Sequence, residues 1–164
     1  MTGAEEIAKA LVEYGTKRVF SHAGGTISYI LDAIHRAGIE VIVVRQEAQA
    51  LHMAQGAFRV SGRAQVALVT SGPGVTNAVT GVADAYYDAD AVVLICGQTS
   101  SLKGSRPVRQ WSFQETPTVE LMRPISKDTW MVEDPRESIV KAISLALAPR
   151  PGPVVLDVRM DVQK

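Results

Sequence analysis

With 164 residues, 46% of them hydrophobic and 21% charged, the chain has room for one domain with a real core and too little for two ordinary ones. Lysine plus arginine equals aspartate plus glutamate at 17 each, so no basic face points to nucleic acid or an anionic membrane surface. The longest apolar run, Ala91 to Cys96, is too short to span a bilayer, and Met1 to Glu6 does not read as a signal peptide, so a cytoplasmic location is the expectation.

Ile7, Leu11 and Tyr14 recur at helical spacing, and Gly15 stops that helix. Residues 17–20 read as a short strand ending in the Gly24-Gly25 turn. Thr26 is placed to cap the next helix, whose apolar face is Ile27, Ile30, Leu31 and Ile34, with Gly38 closing it. The run 40–44, rich in valine, predicts a buried parallel strand, and Leu51, Ala54 and Phe58 mark a helix opened by Glu47. Residues 66–70 give a third strand, the Gly72-Pro73-Gly74 turn leads into a helix to about Tyr87, and 91–96 gives a fourth strand. Cys96, the only cysteine, allows no internal disulfide and reads as a small buried hydrophobe in that strand.

From Gln98 to Gln110 the chain is Ser-rich and basic, is broken by Gly104 and Pro107, and lacks periodicity, which predicts a long loop. Patterning resumes at Phe113. Asp134, Pro135 and Glu137 form a helix start, followed by the stripe Ile139, Val140, Ile143 and Leu147, and residues 153–158 give a last strand. The alternation predicts an α/β fold of three layers, α/β/α, with a mostly parallel sheet of about six strands.

The strand-to-helix junctions carry the functional signal. Glu47 lies at a strand's carboxyl end and in a helix's first turn, where open α/β sheets bind ligands; a surface glutamate favoured by the helix dipole fits the same position. Ser71 to Gly74 offers small residues and free N–H groups but lacks the spacing and lysine of a phosphate loop, so a tight structural turn remains open. His22 to Gly25, Glu47, Ser71 to Gly74 and Gly97-Gln98 would all face one rim, a plausible edge for a flat heteroaromatic ring.

Six blocks recur in order: Ala-Gly-Gly (23–25), Arg-x-Glu-x-x-Ala-x-His-x-Ala-x-Gly-x-Ala-Arg (45–59), Thr-Ser-Gly-Pro-Gly-x-Thr-Asn (70–77), Gly-Gln (97–98), Phe-Gln-Glu-Thr-Pro (113–117) and Arg-Pro-Gly-Pro-Val (150–154). Over essentially its whole length the chain resembles the N-terminal pyrimidine-binding domain of thiamine-diphosphate enzymes, and most of all the acetolactate synthase family. The resemblance implies the thiamine-diphosphate-binding fold, with residues 1–164 as one pyrimidine-binding domain and the central and diphosphate-binding domains absent. It implies that Glu47 hydrogen-bonds the N1′ atom of the cofactor's aminopyrimidine and favours the tautomer that removes the thiazolium C2 proton. Pro73 and Asn77 would line the aminopyrimidine pocket, Gly24 and Gly25 would approach the reacting carbon, and Phe113, Gln114 and His22 would face the substrate. His52 matches a family histidine and reads as a packing or interface residue.

Two departures stand out: Ser21-His22-Ala23-Gly24-Gly25 replaces the usual Gly-Tyr-Pro-Gly-Gly, and the basic loop before Phe113, with Lys103, Arg106, Arg109 and Trp111, is longer than usual. The Gly-Asp-Gly of the diphosphate domain does not occur, so only the aminopyrimidine half of thiamine diphosphate is expected here, with Mg2+ held by a partner domain. The expected partners are further copies of the chain, a separately encoded diphosphate-binding subunit, or both, and a small 2-oxo acid substrate. The expected activity is decarboxylation or acetolactate-synthase-like carboligation. The alternatives are one subunit of a split decarboxylase of the phosphonopyruvate or sulfopyruvate type, and a non-catalytic domain acting only by association.

Overall fold

The computed structural model describes residues 1–100 and 113–164; the basic loop with Lys103, Arg106, Arg109 and Trp111 therefore lies outside the described residues. In chain order the elements are α1 (Gly3–Tyr14), β1 (Arg18–Ser21), a 3-10 turn (Gly25–Ile27), α2 (Ser28–Arg36), β2 (Glu40–Val43), α3 (Glu47–Ser61), β3 (Gln65–Val69) and α4 (Pro73–Asp88). Then come β4 (Val92–Gln98), α5 (Thr118–Met122), β5 (Asp128–Met131), α6 (Pro135–Leu147), β6 (Val154–Arg159) and α7 (Met160–Gln163).

The six strands form one sheet in the order β2-β1-β3-β4-β6-β5, and every pairing is parallel. Side chains alternate across it, so each strand feeds two cores. Val66, Leu68, Val93, Ile95 and Leu156 pack under α1, α2 and α6, with Leu11, Ile30, Ile34 and Ile139. Ala67, Val69, Leu94, Cys96 and Val155 pack under α3 and α4, with Leu51, Ala54, Ala78, Val82 and Met122. The three-layer α/β/α arrangement expected from the sequence follows directly.

Two helix starts follow the sequence rules. Thr2 and Glu5 form a reciprocal capping box on α1, and the Asp134 carboxylate accepts from the Glu137 N–H at 2.8 Å. Thr26 does not cap α2. Its Oγ1 accepts from the Ser71 N–H at 2.9 Å and meets the Thr70 hydroxyl at 2.9 Å, so this hydroxyl joins two turns instead. The run 40–44 is not a buried central strand: β2 is an edge strand, Val43 is 70% exposed, Val41 and Ile42 are half-buried, and only Val44 is buried. Val140 and Leu147, placed in the buried stripe of α6, are 56% and 36% exposed, because the inward face of that helix runs through Pro135, Ser138, Ile139, Ala142, Ile143 and Ala146.

α3 and α4 approach closely because Gly81 has no side chain: a Cβ there would lie 2.5 Å from Leu51 Cβ. Ala50, Ala54, Ala78 and Gly81 are thus buried within the chain.

Candidate functional site

In the sheet order, β2 lies on one side of β1 and β3 on the other. Successive crossovers therefore leave in opposite directions, and a crevice opens above the carboxyl ends of β1 and β3. The turns after those two strands are His22 to Gly25 and Thr70 to Gly72, and Glu47 enters from the neighbouring β2 end. All the junctions singled out in the sequence reach this one rim. Another cleft, of about 520 Å³ and lined by Tyr14, Lys17, Val60 and Arg63 among others, opens at the amino ends of β1 and β3. It lies away from every helix start that follows a strand, so the rim is the stronger site on topology.

Glu47 is the first residue of α3 and only 5% exposed. Its Oε2 accepts from the Asn77 Nδ2 at 3.0 Å, tying the first turn of α3 to the first turn and a half of α4. Oε1 lies beside Gly74, where a Cβ would sit 3.5 Å from it. A surface glutamate on a helix dipole would be solvated; this carboxyl is held by a side-chain amide in a nearly closed position. Pro73 occupies the first position of α4 and is half-buried.

The glycine turns are shaped by contact. Gly24 lies against Thr70, with a Cβ position 2.3 Å from Thr70 Cβ, whereas Gly25 is exposed with nothing near its Cβ position. Gly72 has φ 63° and ψ −118°, and a Cβ there would be 2.5 Å from the Phe113 carbonyl oxygen. The 113–117 segment therefore lies directly on this turn, and the Ser71 hydroxyl donates to Gln114 Oε1 at 3.3 Å. Phe113 is 75% exposed and Gln114 is exposed beside it. Gly72→Ala is expected to cost about 3 kcal/mol through left-handed strain and this clash. A shift of the urea midpoint at unchanged slope would measure it.

His22 is half-buried, with Nδ1 2.9 Å from the Val44 carbonyl. A carbonyl only accepts, so Nδ1 carries the proton and Nε2 of the neutral ring is left as the acceptor. His52 lies away from this cluster, exposed, with Nδ1 3.2 Å from Asp84 on α4.

Beneath the 113–117 segment lies a buried polar group that joins Gln98, expected to face the rim, to Asp157, which was not singled out from the sequence. The fully buried Gln98 Nε2 donates to the Thr116 carbonyl at 2.9 Å and to Asp157 Oδ2 at 3.3 Å. Asp157 is 2% exposed on β6, and its Oδ1 has no partner among the described residues. Burial pushes its carboxyl up to about 7, against the opposing hydrogen bonds from Gln98 and Thr118. The same burial, with Asp157 beside it, pushes the Cys96 thiol up, so Cys96 is an inert core residue. Asp157 had a sequence signal, a carboxylate inside the apolar run 154–158.

Among the described residues, no three of His, Cys, Asp and Glu gather as metal ligands would, and no helix is long and apolar enough to cross a membrane.

The sequence has known relatives. The family described as thiamine pyrophosphate enzyme, N-terminal TPP binding domain, matches residues 1–121. The isozyme 3 large subunit of acetolactate synthase from Escherichia coli (strain K12) is 42% identical over 99% of this chain and 28% of its own length. The probable acetolactate synthase large subunit of Methanocaldococcus jannaschii is 39% identical over 99% of this chain and 27% of its own length. The chloroplastic acetolactate synthase of Arabidopsis thaliana is 39% identical over 99% of this chain and 24% of its own length. The chain thus spans about a quarter of the length of these curated relatives. Its six-stranded parallel sheet and the match across both glycine turns and Glu47 make it a member of the thiamine pyrophosphate enzyme N-terminal domain family.

Proposed function

We propose that this chain supplies the aminopyrimidine half of a thiamine diphosphate site in an acetolactate synthase-like enzyme acting on 2-oxo acids. The observation that carries this reading is the buried Glu47 carboxyl at the rim, fixed by Asn77 and open toward Gly74. When bound, the cofactor supplies the carbon nucleophile and the electron sink for decarboxylating a 2-oxo acid.

The chain's own residues do the rest. Asn77 occupies Oε2 of Glu47 and sets the carboxyl's rotation, leaving Oε1 to share a proton with N1′ of the ring. The absence of a side chain at Gly74 gives a flat ring room to approach. Pro73 and Asn77 would bound that ring, and Gly24 and Gly25 would lie near its reacting carbon. Phe113, Gln114 and His22 form the substrate side. With Nδ1–H committed to Val44, His22 offers Nε2 as an acceptor where the usual phenol would offer an O–H donor. That difference bears on which 2-oxo acid fits.

Diphosphate and Mg2+ would be held elsewhere, by a separate diphosphate-binding domain or subunit. The site would be completed by association, as suits a chain whose relatives are named large subunits. Titration calorimetry tests the division. The 164-residue chain alone should show no micromolar, magnesium-dependent binding of thiamine diphosphate, because the charged contacts to diphosphate are missing. Binding should appear when a diphosphate-binding half is added. Micromolar binding to the chain alone would overturn the proposal.

A further inference from the structure

The turn carrying Gly24 and Gly25 has few contacts of its own. Gly24 is extended, the 3-10 turn that follows is three residues long, and its internal Ile27 N–H to Gly24 carbonyl bond is 3.3 Å. Within it Ser28 also bonds the Gly25 carbonyl through its N–H and, at 3.0 Å, its hydroxyl; the remaining support comes from outside. Gly97, near the end of β4, has no side chain, and a Cβ there would meet Thr26 Oγ1 at 2.5 Å and the Thr26 carbonyl at 2.6 Å. The turn therefore lies directly on the sheet edge, with Thr26 Oγ1 linked to Ser71.

The third support comes from the far end of the chain. Gln163 on α7 is fully buried, and its Nε2 donates to the Thr26 carbonyl at 2.8 Å and to the Val158 carbonyl at 3.0 Å. Reversing the amide would set its oxygen against two carbonyls, so the orientation is fixed by chemistry. Its Oε1 is buried with no partner among the described residues. An unpaired buried acceptor is destabilising, so a methionine or leucine of similar size would suit the core better. The amide is in place for its two donors.

We propose that Gln163 is a positioning residue: it clamps the Gly24–Thr26 turn to the end of β6 and so sets the clearance on the substrate side of the rim. The functional half of this inference rests on the reading of the rim given above; the mechanical half does not.

The test uses Gln163→Met, which keeps length and bulk and removes both donors. In the full chain, amide hydrogen exchange at residues 25–28 should quicken about tenfold, while the amides of α1, α6 and β4 keep their protection. Uniform loss of protection, or no change at 25–28, would overturn the clamp. Gln163→Asn, one methylene shorter, gives the same readout if the methionine variant does not fold. Thr26→Val removes the neighbouring link, and the two changes together should loosen the turn by less than the product of their separate effects. In the enzyme reconstituted with its diphosphate-binding half, KM for the 2-oxo acid should rise about tenfold with cofactor C2-proton exchange unchanged. An equal loss of C2-proton exchange would assign Gln163 to the cofactor or to general stability and sink the proposal. Failure of the rim reading looks different: Glu47→Gln would then leave C2-proton exchange normal, whatever residues 25–28 do.

Discussion

Glu47→Gln is expected to slow C2-proton exchange of bound thiamine diphosphate by about 10²- to 10⁴-fold, the usual range for a lost acid–base group. The contact with Asn77 sharpens this expectation. Asn77 Nδ2 is a donor, so the new amide will turn its oxygen toward Asn77 to keep that 3.0 Å bond. Its NH2 group then faces the side of Gly74, where it can neither take nor give up a proton. The fold should be intact, since size and the inter-helix bond are preserved, and the thermal midpoint should hold or rise slightly. NMR of C2-proton exchange in the reconstituted enzyme reads the effect, with circular dichroism as the control for folding. Exchange at the normal rate would return Glu47 to the role of a helix-start glutamate. Asn77→Ala should give a smaller loss, because it frees the carboxyl's rotation without removing the proton carrier.

What could be read from the sequence was whatever depends on neighbours a few residues apart. Strand–helix alternation, the Asp134 cap and the turn at Gly72 are local, and together they placed Glu47 and both glycine turns on one rim. What escaped depends on position in the sheet. Periodicity makes 40–44 look like a central strand, but sheet order decides burial, and order is set by crossovers no single segment encodes. β5 was not assigned because Asp128 to Met131 is four residues with no apolar alternation; its strand character comes from pairing with β6. Thr26 looked like a cap because hydroxyls before apolar runs usually are, yet a partner 45 residues away took its oxygen. The Glu47–Asn77 bond spans 30 residues and the Gln163–Thr26 bond spans 137, so neither has a local signature. The resemblance carried Glu47 and Asn77 separately; their contact comes only from the packing of α3 on α4.

Asp157→Asn is expected to stabilise the chain at pH 8 by on the order of 4 kcal/mol and to leave it nearly unchanged at pH 3. The sign follows from the direction of the shift. Burial raises the folded-state carboxyl to about 7, whereas the unfolded group titrates at about 4. Below pH 4 the carboxyl is protonated in both states and costs nothing extra. As pH rises from about 4 to about 7 the unfolded state ionises first, so stability falls across that window. Asparagine stays neutral throughout, still accepts from Gln98 through its oxygen, and replaces an ionisable group whose Oδ1 has no partner. The variant should therefore lose the decline between about pH 4 and about pH 7, with a thermal midpoint at pH 8 raised by roughly 8–16 °C for a domain of this size. Parallel pH profiles in the two proteins would show that the carboxyl is stabilised by some other group. A destabilising carboxyl kept in the core suggests that its partner matters more than its energy: it receives Gln98, whose amide also holds the Thr116 carbonyl and so the segment carrying Phe113 and Gln114. Asp157→Leu removes that acceptor as well. It should match the asparagine variant in its flat pH profile yet loosen the 113–117 segment, with faster amide exchange at residues 113–118 that the asparagine variant lacks.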